Sequence, residues 1–255
     1  MTALLDISGL TVRFGGVHAL QDIAMQVQEG SIHGLIGPNG AGKTTLLNCI
    51  GRVIEPVGGS INFGGVDLIS HRAHDLAALG IARTFQNLAL IESATALDNV
   101  RIGLLRAGGM FSLHDFLPTG ARARKEREDA AAALDALARL GLQAYAATVV
   151  AALPYGIRKS TEIARALCAR PRMLLLDEPT AGLNAREMDD LAAVIRKLRS
   201  EMGITVLLIT HHIEFLLDIA DRVTVLDLGR VIADGLPQLV HTDDRVRAAY
   251  LGTDE

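Results

Sequence analysis

Apolar and polar residues alternate along the first forty positions, a pattern that is typical of strands that bury one face. The alternation is clearest at Ile23, Met25 and Val27, shortly before a turn at Glu29-Gly30. The continuous apolar segment Ile32–Ile36 follows and has the length of a fully buried strand. We therefore expect antiparallel strands at the start of the chain, followed by entry into a buried sheet.

Helical patterns replace strand patterns in the middle of the chain, where alanine and leucine dominate. The segment Arg122–Leu140 is charged at its start and alanine-rich later, and Leu134, Leu137 and Leu140 recur every three residues. This spacing predicts an amphipathic helix that contains those leucines on its apolar side. We interpret residues 87–157 as an all-helical insertion.

Strand and helix patterns alternate again in the last third of the chain. The predicted strands are Met173–Leu176, Thr205–Ile209 and Val223–Leu226, and the predicted helices are Asn184–Ser200 and Ile213–Ala220. Asn184 is a residue type that suits the N-cap of its helix. Because no internal repeat is evident, we expect a single α/β core made of residues 1–86 and 158–255.

Composition narrows the class of protein. Of the 255 residues, 49% are apolar and 21% are charged, which suits one large globular unit, and the net charge of −4 does not indicate a basic nucleic-acid surface. Cys49 and Cys168 stand in apolar contexts and are expected to be reduced, buried thiols. We expect no signal peptide, and no apolar run approaches the ~20 residues of a membrane span.

One segment carries a specific chemical signal. Gly37-Pro38-Asn39-Gly40-Ala41-Gly42-Lys43-Thr44 fits the phosphate-loop pattern G-x-x-x-x-G-K-[ST] at every fixed position, between a predicted strand and a predicted helix. Glycines let backbone N–H groups wrap around phosphate oxygens, and the helix N-terminus favours negative charge. Lys43 can reach the β- and γ-phosphates, the Thr44 hydroxyl can bind Mg²⁺, and Thr45 can add a phosphate contact. This loop alone does not distinguish kinases, GTPases and transport ATPases.

Two carboxylates and a histidine follow buried strands. Asp177 ends the strand Met173–Leu176, where it can hold Mg²⁺ through water, and Glu178 is placed to polarise an attacking water. His211 closes the next strand and can contact the γ-phosphate or that water. The adjacent His212 is expected to be structural.

Together these motifs resemble the ATP-binding cassette (ABC) family over nearly the whole chain. The segments that carry the resemblance are Gly37–Thr45 (Walker A), Leu174–Glu178 (Walker B), Arg83–Gln86 (Q-loop), Ala181–Asn184 (D-loop, with asparagine in the usual aspartate place), His211 (switch histidine) and Phe14 (adenine-stacking aromatic). The resemblance implies an α/β P-loop NTPase fold, with a RecA-like core, an antiparallel β subdomain and the inserted helical subdomain.

The same resemblance implies the roles of individual residues. The catalytic residues would be Lys43, Gln86, Glu178 and His211, and the Mg²⁺ ligands Thr44, Gln86 and Asp177. The residues that bind ATP would be Phe14, Gly37, Asn39, Gly40, Ala41, Gly42, Lys43, Thr44 and Thr45.

The family's signature sequence LSGGQ is altered in this chain. The matching stretch Leu153–Ile157 reads Leu-Pro-Tyr-Gly-Ile, and Pro154 offers neither a hydroxyl nor an N–H group. In the family this loop closes over the ATP of a partner subunit, which implies partner-site contacts from Tyr155 and Gly156. The stretch resembles the LivG-type subgroup, the ATPases of branched-chain amino-acid transporters, as do the segment Thr84–Leu88 and the C-terminal residues Ala248–Gly252.

The resemblance also implies partners and a location. We expect a second ABC ATPase, either a LivF-like chain in a heterodimer or a second copy in a homodimer. We also expect two membrane permeases, whose coupling helices dock near residues 86–99, and indirectly a periplasmic solute-binding protein. Nucleic acid is not expected, and the chain would lie peripherally on the cytoplasmic face of the inner membrane.

Two other functions stay open at this stage. One is a soluble ABC ATPase that acts on ribosomes or DNA, although such proteins generally carry two cassettes or long coiled-coil insertions. The other is a cassette that binds nucleotide as a regulator without hydrolysis, which the altered signature would favour. The transported solute is not set by this sequence, because the ATPase does not contact it; branched-chain amino acids are the subgroup's default, and relatives take amides, urea or aromatic acids.

Overall fold

The computed structural model describes residues 2–84, 88–104 and 119–251, with side chains described except at 119–122 and 251. The strands are β1 Ala3–Phe14, β2 Val17–Gln28, β3 Ile32–Ile36, β4 Gly58–Phe63, β5 Val66–Asp67, β6 Ile81–Arg83, β7 Met173–Asp177, β8 Thr205–Ile209, β9 Arg222–Asp227 and β10 Arg230–Gly235. The helices are α1 Lys43–Ile50, α2 Leu76–Leu79, α3 Ala96–Ile102, α4 Thr119–Arg139, α5 Tyr155–Leu167, α6 Ala185–Ser200, α7 Ile213–Ile219, α8 Pro237–His241 and α9 Asp244–Leu251.

The first sheet is antiparallel, with strand order β2-β1-β4-β5. Its central strand β1 pairs with both neighbours, and Ile7 lies opposite Met25 on β2 and Ile61 on β4. All three side chains are buried. The alternation at the start of the sequence therefore correctly predicted strands that bury one face.

The second sheet is the core of the protein, with strand order β10-β9-β3-β8-β7-β6. The strands from β9 to β6 pair in parallel, and β10 is antiparallel to β9. The strands β3, β7 and β8 are entirely buried, which explains their continuous apolar sequences. Because parallel strands end at the same edge, Ile36, Asp177 and Ile209 bring the segments that follow them to one side of the molecule.

Successive residues of the buried strands contribute to two different hydrophobic clusters. Leu174 and Leu176 of β7 pack with the helices α4 to α7, whereas Leu175 packs with α1 and the antiparallel sheet. The α1 residues Leu46 and Ile50 are fully buried in this second cluster. The helix that follows the predicted phosphate loop therefore packs against both the core sheet and the antiparallel sheet.

The helical part of the chain contains α3 and α4, and α5 begins at Tyr155, so the predicted boundary at residue 157 falls inside a helix. The predicted helix at 122–140 is present as α4, but its expected apolar side is wrong at one position. Leu134 is 44% exposed, whereas Leu137 and Leu140 are buried. Three residues advance a helix by 300° and not by a full turn, so a strict three-residue repeat drifts around the surface. The buried stripe instead runs through Ala133, Ala136, Leu137 and Leu140.

Both cysteines are free, with Cys49 buried and Cys168 half-buried. Burial raises the pKa of each thiol to about 11, so both stay protonated at neutral pH. None of the helices within the described residues combines the length and the apolar content that a membrane span requires.

Candidate functional site

The predicted phosphate loop connects the end of β3 to the start of α1, as the sequence indicated. A Cβ on Gly37 would lie 2.1 Å from the carbonyl oxygen of Leu226, so a side chain at this position would collide with the β9 backbone. Gly40 has open space around it but a φ of +80°, a left-handed conformation that favours glycine. Both glycines are therefore required by the shape of the loop.

The Lys43 side chain folds back over this loop. Its Nζ donates hydrogen bonds to the carbonyl oxygens of Gly37 at 2.6 Å and Pro38 at 2.9 Å. Burial lowers the pKa of Lys43, and the nearby carboxylate of Glu178 acts in the opposite direction. The ammonium group is thus held at the centre of the loop by carbonyl dipoles and by one carboxylate.

Other residues of the loop differ in their accessibility. Asn39, Gly40 and Thr44 are exposed, Thr45 is half-buried and Ala41 is buried, with its N–H donated to the carbonyl of Pro38 at 3.2 Å. Helix α1 begins at Lys43 without a side-chain cap. Its first N–H groups are therefore free of side-chain acceptors and suited to an anion.

The structure brings together Glu178 and His211, two residues that the sequence singled out separately. Glu178 follows β7 with a φ of +49°, and its N–H donates to the carbonyl of Ile209 on β8 at 3.0 Å. Its Oε2 lies 3.0 Å from Nδ1 of His211, which follows β8. The imidazole is mostly exposed and the carboxylate mostly buried. This pair can orient a water molecule at the edge of the sheet.

A buried hydroxyl pair fixes the two segments that carry these residues. Thr180 Oγ1 and Thr210 Oγ1 are 2.6 Å apart, and both residues are completely buried. Thr210 also accepts a hydrogen bond from the N–H of His212 at 3.1 Å. These contacts join the segment after β7 to the segment after β8, so the separation of Glu178 and His211 is set by the core.

Asp177 is buried at the end of β7 and bonded through only one of its oxygens. Its Oδ2 accepts a hydrogen bond from Arg83 at 2.9 Å, whereas Oδ1 is buried without a hydrogen-bond partner among the described residues. No cluster of three or more histidine, cysteine or acidic side chains within the described ranges could hold a metal. Magnesium fits this arrangement, because Mg²⁺ is usually bound by one or two protein oxygens together with water and substrate phosphates.

The altered signature stretch lies at the beginning of α5. Pro154 is the N-cap residue of this helix. The N–H of Gly156 donates to Oε1 of Glu187 on α6 at 3.2 Å. A Cβ on Gly182 would lie 3.1 Å from Cε1 of Tyr155, so the predicted D-loop packs directly on the signature tyrosine.

The predicted adenine-stacking residue lies on the antiparallel sheet. Phe14 ends β1 and is 52% exposed. The following strand β2 approaches the phosphate loop, because a Cβ on Gly42 would lie 2.7 Å from Cδ2 of Leu20. Gln86 lies outside the described residues, so its predicted roles remain predictions.

Three charged or polar residues near the site were not singled out from the sequence. Arg83 bonds to Asp177. Lys159 of α5 is buried with its Nζ 5.7 Å from the ring centroid of Tyr155; burial lowers its pKa, while Glu162, Glu178 and Asp177 raise it. Tyr250 of α9 lies beside the backbone of Gly37, and burial raises the pKa of its phenol. Arg83 lies in the predicted Q-loop and Tyr250 in the C-terminal segment Ala248–Gly252. No spacing rule indicated that either residue would contact the site.

Known sequences match this chain along nearly its whole length. The ABC transporter family profile matches residues 20–181. The chain is 41% identical over 249 residues to the high-affinity branched-chain amino acid transport ATP-binding protein BraF of Pseudomonas aeruginosa, covering 98% of each protein. It is 37% identical over 251 residues to the corresponding protein LivG of Escherichia coli, again covering 98% of each.

Solved structures share the fold. The ADP conformation of MJ1267, an ATP-binding cassette of an ABC transporter, superposes with a TM-score of 0.87 at 29% identity and covers 99% of this chain and all of that one. A dimeric post-hydrolysis state of the cassette MJ0796, bound to ADP and phosphate, gives a TM-score of 0.74 at 26% identity and covers 91% of this chain and 98% of that one. The predicted P-loop NTPase fold is thereby confirmed.

Proposed function

The chain belongs to the ABC transporter family and is an ATP-binding ATPase of that family, and we propose that it drives an importer of branched-chain amino acids. The near full-length similarity to two branched-chain transport ATPases supports the class of solute. The close pair formed by Glu178 and His211, next to Lys43, supports hydrolysis over passive nucleotide binding. A regulatory cassette without turnover would not need this pair.

We propose that the phosphate loop holds the ATP phosphates through Lys43 and the backbone N–H groups at the start of α1. The other ATP contacts proposed here come from Phe14, Gly37, Asn39, Gly40, Ala41, Gly42, Thr44 and Thr45. Thr44, Asp177 and Gln86 would hold Mg²⁺, which would neutralise part of the phosphate charge when it is bound. Oδ1 of Asp177, which is buried without a hydrogen-bond partner among the described residues, supports this assignment.

Hydrolysis would begin with a water molecule placed by Glu178 against the γ-phosphate. His211 would orient the Glu178 carboxylate through their 3.0 Å contact, and its imidazole is exposed, so it could also contact the γ-phosphate of a bound nucleotide. Lys43 would exchange its contacts with loop carbonyls for phosphate oxygens and stabilise the charge that develops. Gln86 would link phosphate occupancy to the helical part, which we propose to be an inserted subdomain at 87–157.

A second ABC ATPase would complete the site. The dimeric cassette MJ0796 shows that a related fold pairs with a second cassette. We propose a heterodimer with a LivF-like chain, in which Tyr155 and Gly156 face the partner's ATP. Pro154 cannot supply the hydroxyl or the N–H of the usual signature serine, so the site closed by this chain would be the weaker of the two. Equal loss of turnover when each partner's catalytic glutamate is replaced in turn would contradict this asymmetry.

A groove of about 400 Å³ between the core and the helical part offers a place for a permease. It is lined mainly by apolar residues, including Leu76, Ala77 and Ile102, and by the charged residues Glu162 and Arg165. We propose that a short coupling helix of each permease docks here, which would hold the chain peripherally at the cytoplasmic face of the inner membrane. The groove is lined by residues of α2 and α5 and by Ile102 and Gly103, which follow the docking region expected near 86–99, so the proposed site is displaced from that expectation.

Filling this groove tests the docking proposal. Ala77 is exposed and lines the groove, so Ala77→Trp is expected to abolish copurification with the permeases while nucleotide binding is retained. Ala138→Trp, on the exposed side of α4, is the matched control and should copurify like the wild type. Loss of copurification in both variants, or in neither, would contradict docking at this groove.

Transport in proteoliposomes tests the function itself. The chain, a LivF-like partner and two permeases are reconstituted, and uptake of labelled leucine is measured with a periplasmic binding protein and ATP. We expect ATP-dependent uptake that unlabelled isoleucine and valine reduce, and no uptake with Glu178→Gln. ATP-dependent uptake of urea or an aromatic acid without uptake of leucine would overturn the solute class and leave the ATPase assignment in place.

A further inference from the structure

Arg83 connects three elements that meet at the catalytic edge of the sheet. It ends β6, and its Nη2 donates to Oδ2 of Asp177 at the end of β7 at 2.9 Å. Its Nη1 donates to Oδ1 of Asn48 on α1 at 2.8 Å. The arginine side chain is 13% exposed and the aspartate side chain 5% exposed, so the ion pair is largely withdrawn from water.

The neighbouring backbone leaves room for this guanidinium. Gly51 follows α1 with a φ of −72°, a conformation open to any residue, so its glycine is not explained by a left-handed cap. A Cβ on Gly51 would lie 3.1 Å from Nη1 of Arg83. The missing side chain at Gly51 therefore lets Arg83 reach Asn48 and Asp177 at the same time.

A largely buried ion pair contributes little net stability to the fold. Its burial is therefore weak evidence that Arg83 and Asp177 serve only to stabilise the protein. Desolvation of both charges offsets much of their attraction, and apolar replacements of such pairs are often neutral. The pair instead gives Asp177 a fixed orientation, with one oxygen bonded to Arg83 and the other without a partner among the described residues. Carboxylates that bind metals are commonly held in this way by a hydrogen bond to their second oxygen.

We propose that Arg83 is the positioning residue that orients Asp177 for the Mg²⁺ that accompanies the nucleotide. Arg83 does not contact the nucleotide in this role and acts through Asp177. The same side chain also lines the 400 Å³ groove, so a helix docked there would touch the residue that holds the metal-binding carboxylate. This second part rests on the proposed function, whereas the orientation of Asp177 requires only that the chain binds nucleotide with Mg²⁺.

Binding of fluorescent mant-ADP to the full chain tests this role without hydrolysis. Affinity is measured in EDTA and over a Mg²⁺ titration for the wild type, Arg83→Gln and Arg83→Lys, and Mn²⁺ electron paramagnetic resonance counts bound metal directly. We expect the Mg²⁺ concentration that gives half of the maximal increase in mant-ADP affinity to rise by about tenfold in Arg83→Gln. Affinity in EDTA should change by less than twofold. Lysine keeps the positive charge but lacks the forked guanidinium that bonds Asn48 and Asp177 together. Arg83→Lys should therefore show part of the rise in the Mg²⁺ requirement.

A remote arginine provides the matched control. Arg222→Gln removes a bidentate ion pair with Asp234 at the β9–β10 edge and should leave the Mg²⁺ dependence unchanged. Three results would overturn the proposal: an unchanged Mg²⁺ dependence in Arg83→Gln, a loss of mant-ADP affinity in that variant that is equal in EDTA and in Mg²⁺, or a matching shift in Arg222→Gln. A wild-type chain that does not bind mant-ADP would instead contradict the proposed function.

Discussion

The carboxylate of Glu187 accepts a hydrogen bond from the backbone N–H of Gly156 at 3.2 Å, which joins the start of α6 to the start of α5. The other oxygen of Glu187 accepts from the N–H of Asn184 at 3.0 Å, within the capping box that begins α6. Helix α5 has no side-chain cap of its own. In this state a carboxylate therefore occupies the helix start that we propose faces the γ-phosphate of the partner's ATP.

Neutralising Glu187 should ease closure of the partner's site. Glu187→Gln keeps the size of the side chain but removes a negative charge from the start of α5, so phosphate would meet less competition. We expect the KM for ATP of the paired ATPases to fall by about two- to fivefold, from the usual strength of a charge at a helix terminus. Glu201→Gln, on the exposed C-terminal end of α6, should leave the KM unchanged. A higher KM in Glu187→Gln would show that the contact assists closure instead.

Replacing Glu178 should separate nucleotide binding from hydrolysis. Glu178→Gln keeps the backbone shape and can still contact His211, but an amide is a poor acceptor for a water proton. We expect ATP turnover of the paired ATPases to fall by about 10²- to 10⁴-fold, with mant-ADP affinity unchanged. Glu214→Gln on the exposed side of α7 is the control. Turnover within tenfold of the wild type would argue against Glu178 as the base.

Replacing Lys43 should weaken nucleotide binding itself. Lys43→Met retains the apolar stem and removes the ammonium that is bonded to the carbonyls of Gly37 and Pro38. Charge-assisted hydrogen bonds contribute about 1.5–3 kcal/mol, so we expect the mant-ADP Kd to rise by roughly 10- to 100-fold. Lys197→Met, at a half-buried lysine of α6 that pairs with Glu201, should bind like the wild type. Equal affinities in both variants would place the phosphates away from Lys43.

The sequence predicted the residues of the site better than their contacts. The phosphate loop and the strand that carries Asp177 follow from local rules on glycine spacing and strand ends, whereas the contact of Glu178 with His211 requires that β7 and β8 be neighbours. The contacts of Arg83, Lys159 and Tyr250 depend on which elements become neighbours, and no local pattern contains that information. These three residues are brought to the site by the order of strands in the sheet and by helix packing.

Short or partly exposed elements were also missed. Strand β6 contains only Ile81–Arg83, and α8 contains only Pro237–His241, lengths too short for a hydrophobic period to develop. Leu134 shows the opposite error, because the regular spacing of Leu134, Leu137 and Leu140 predicts one apolar side although only Leu137 and Leu140 are buried. In each case tertiary packing decided what the local pattern left open.

A buried histidine lies on the strand that leads into the phosphate loop. His33 of β3 is completely buried, and its Nε2 lies 2.7 Å from Oγ1 of Thr224 on β9. Thr224 donates to Asp234 at 3.2 Å, and Arg222 bonds both oxygens of that aspartate. Burial lowers the pKa of His33 from 6.5 to about 4; Asp234 raises it and Arg222 lowers it further.

This lowered pKa predicts a loss of stability in mild acid. The unfolded chain takes up the His33 proton below about pH 6.5, whereas the folded chain resists it down to about 4, so stability present above 6.5 is lost between these values. Each unit of difference corresponds to about 1.4 kcal/mol. We expect the free energy of unfolding in urea to fall less from pH 7.5 to 5 in His33→Gln than in the wild type. His241→Gln should follow the wild type, and parallel pH curves for wild type and His33→Gln would show that His33 does not set this dependence.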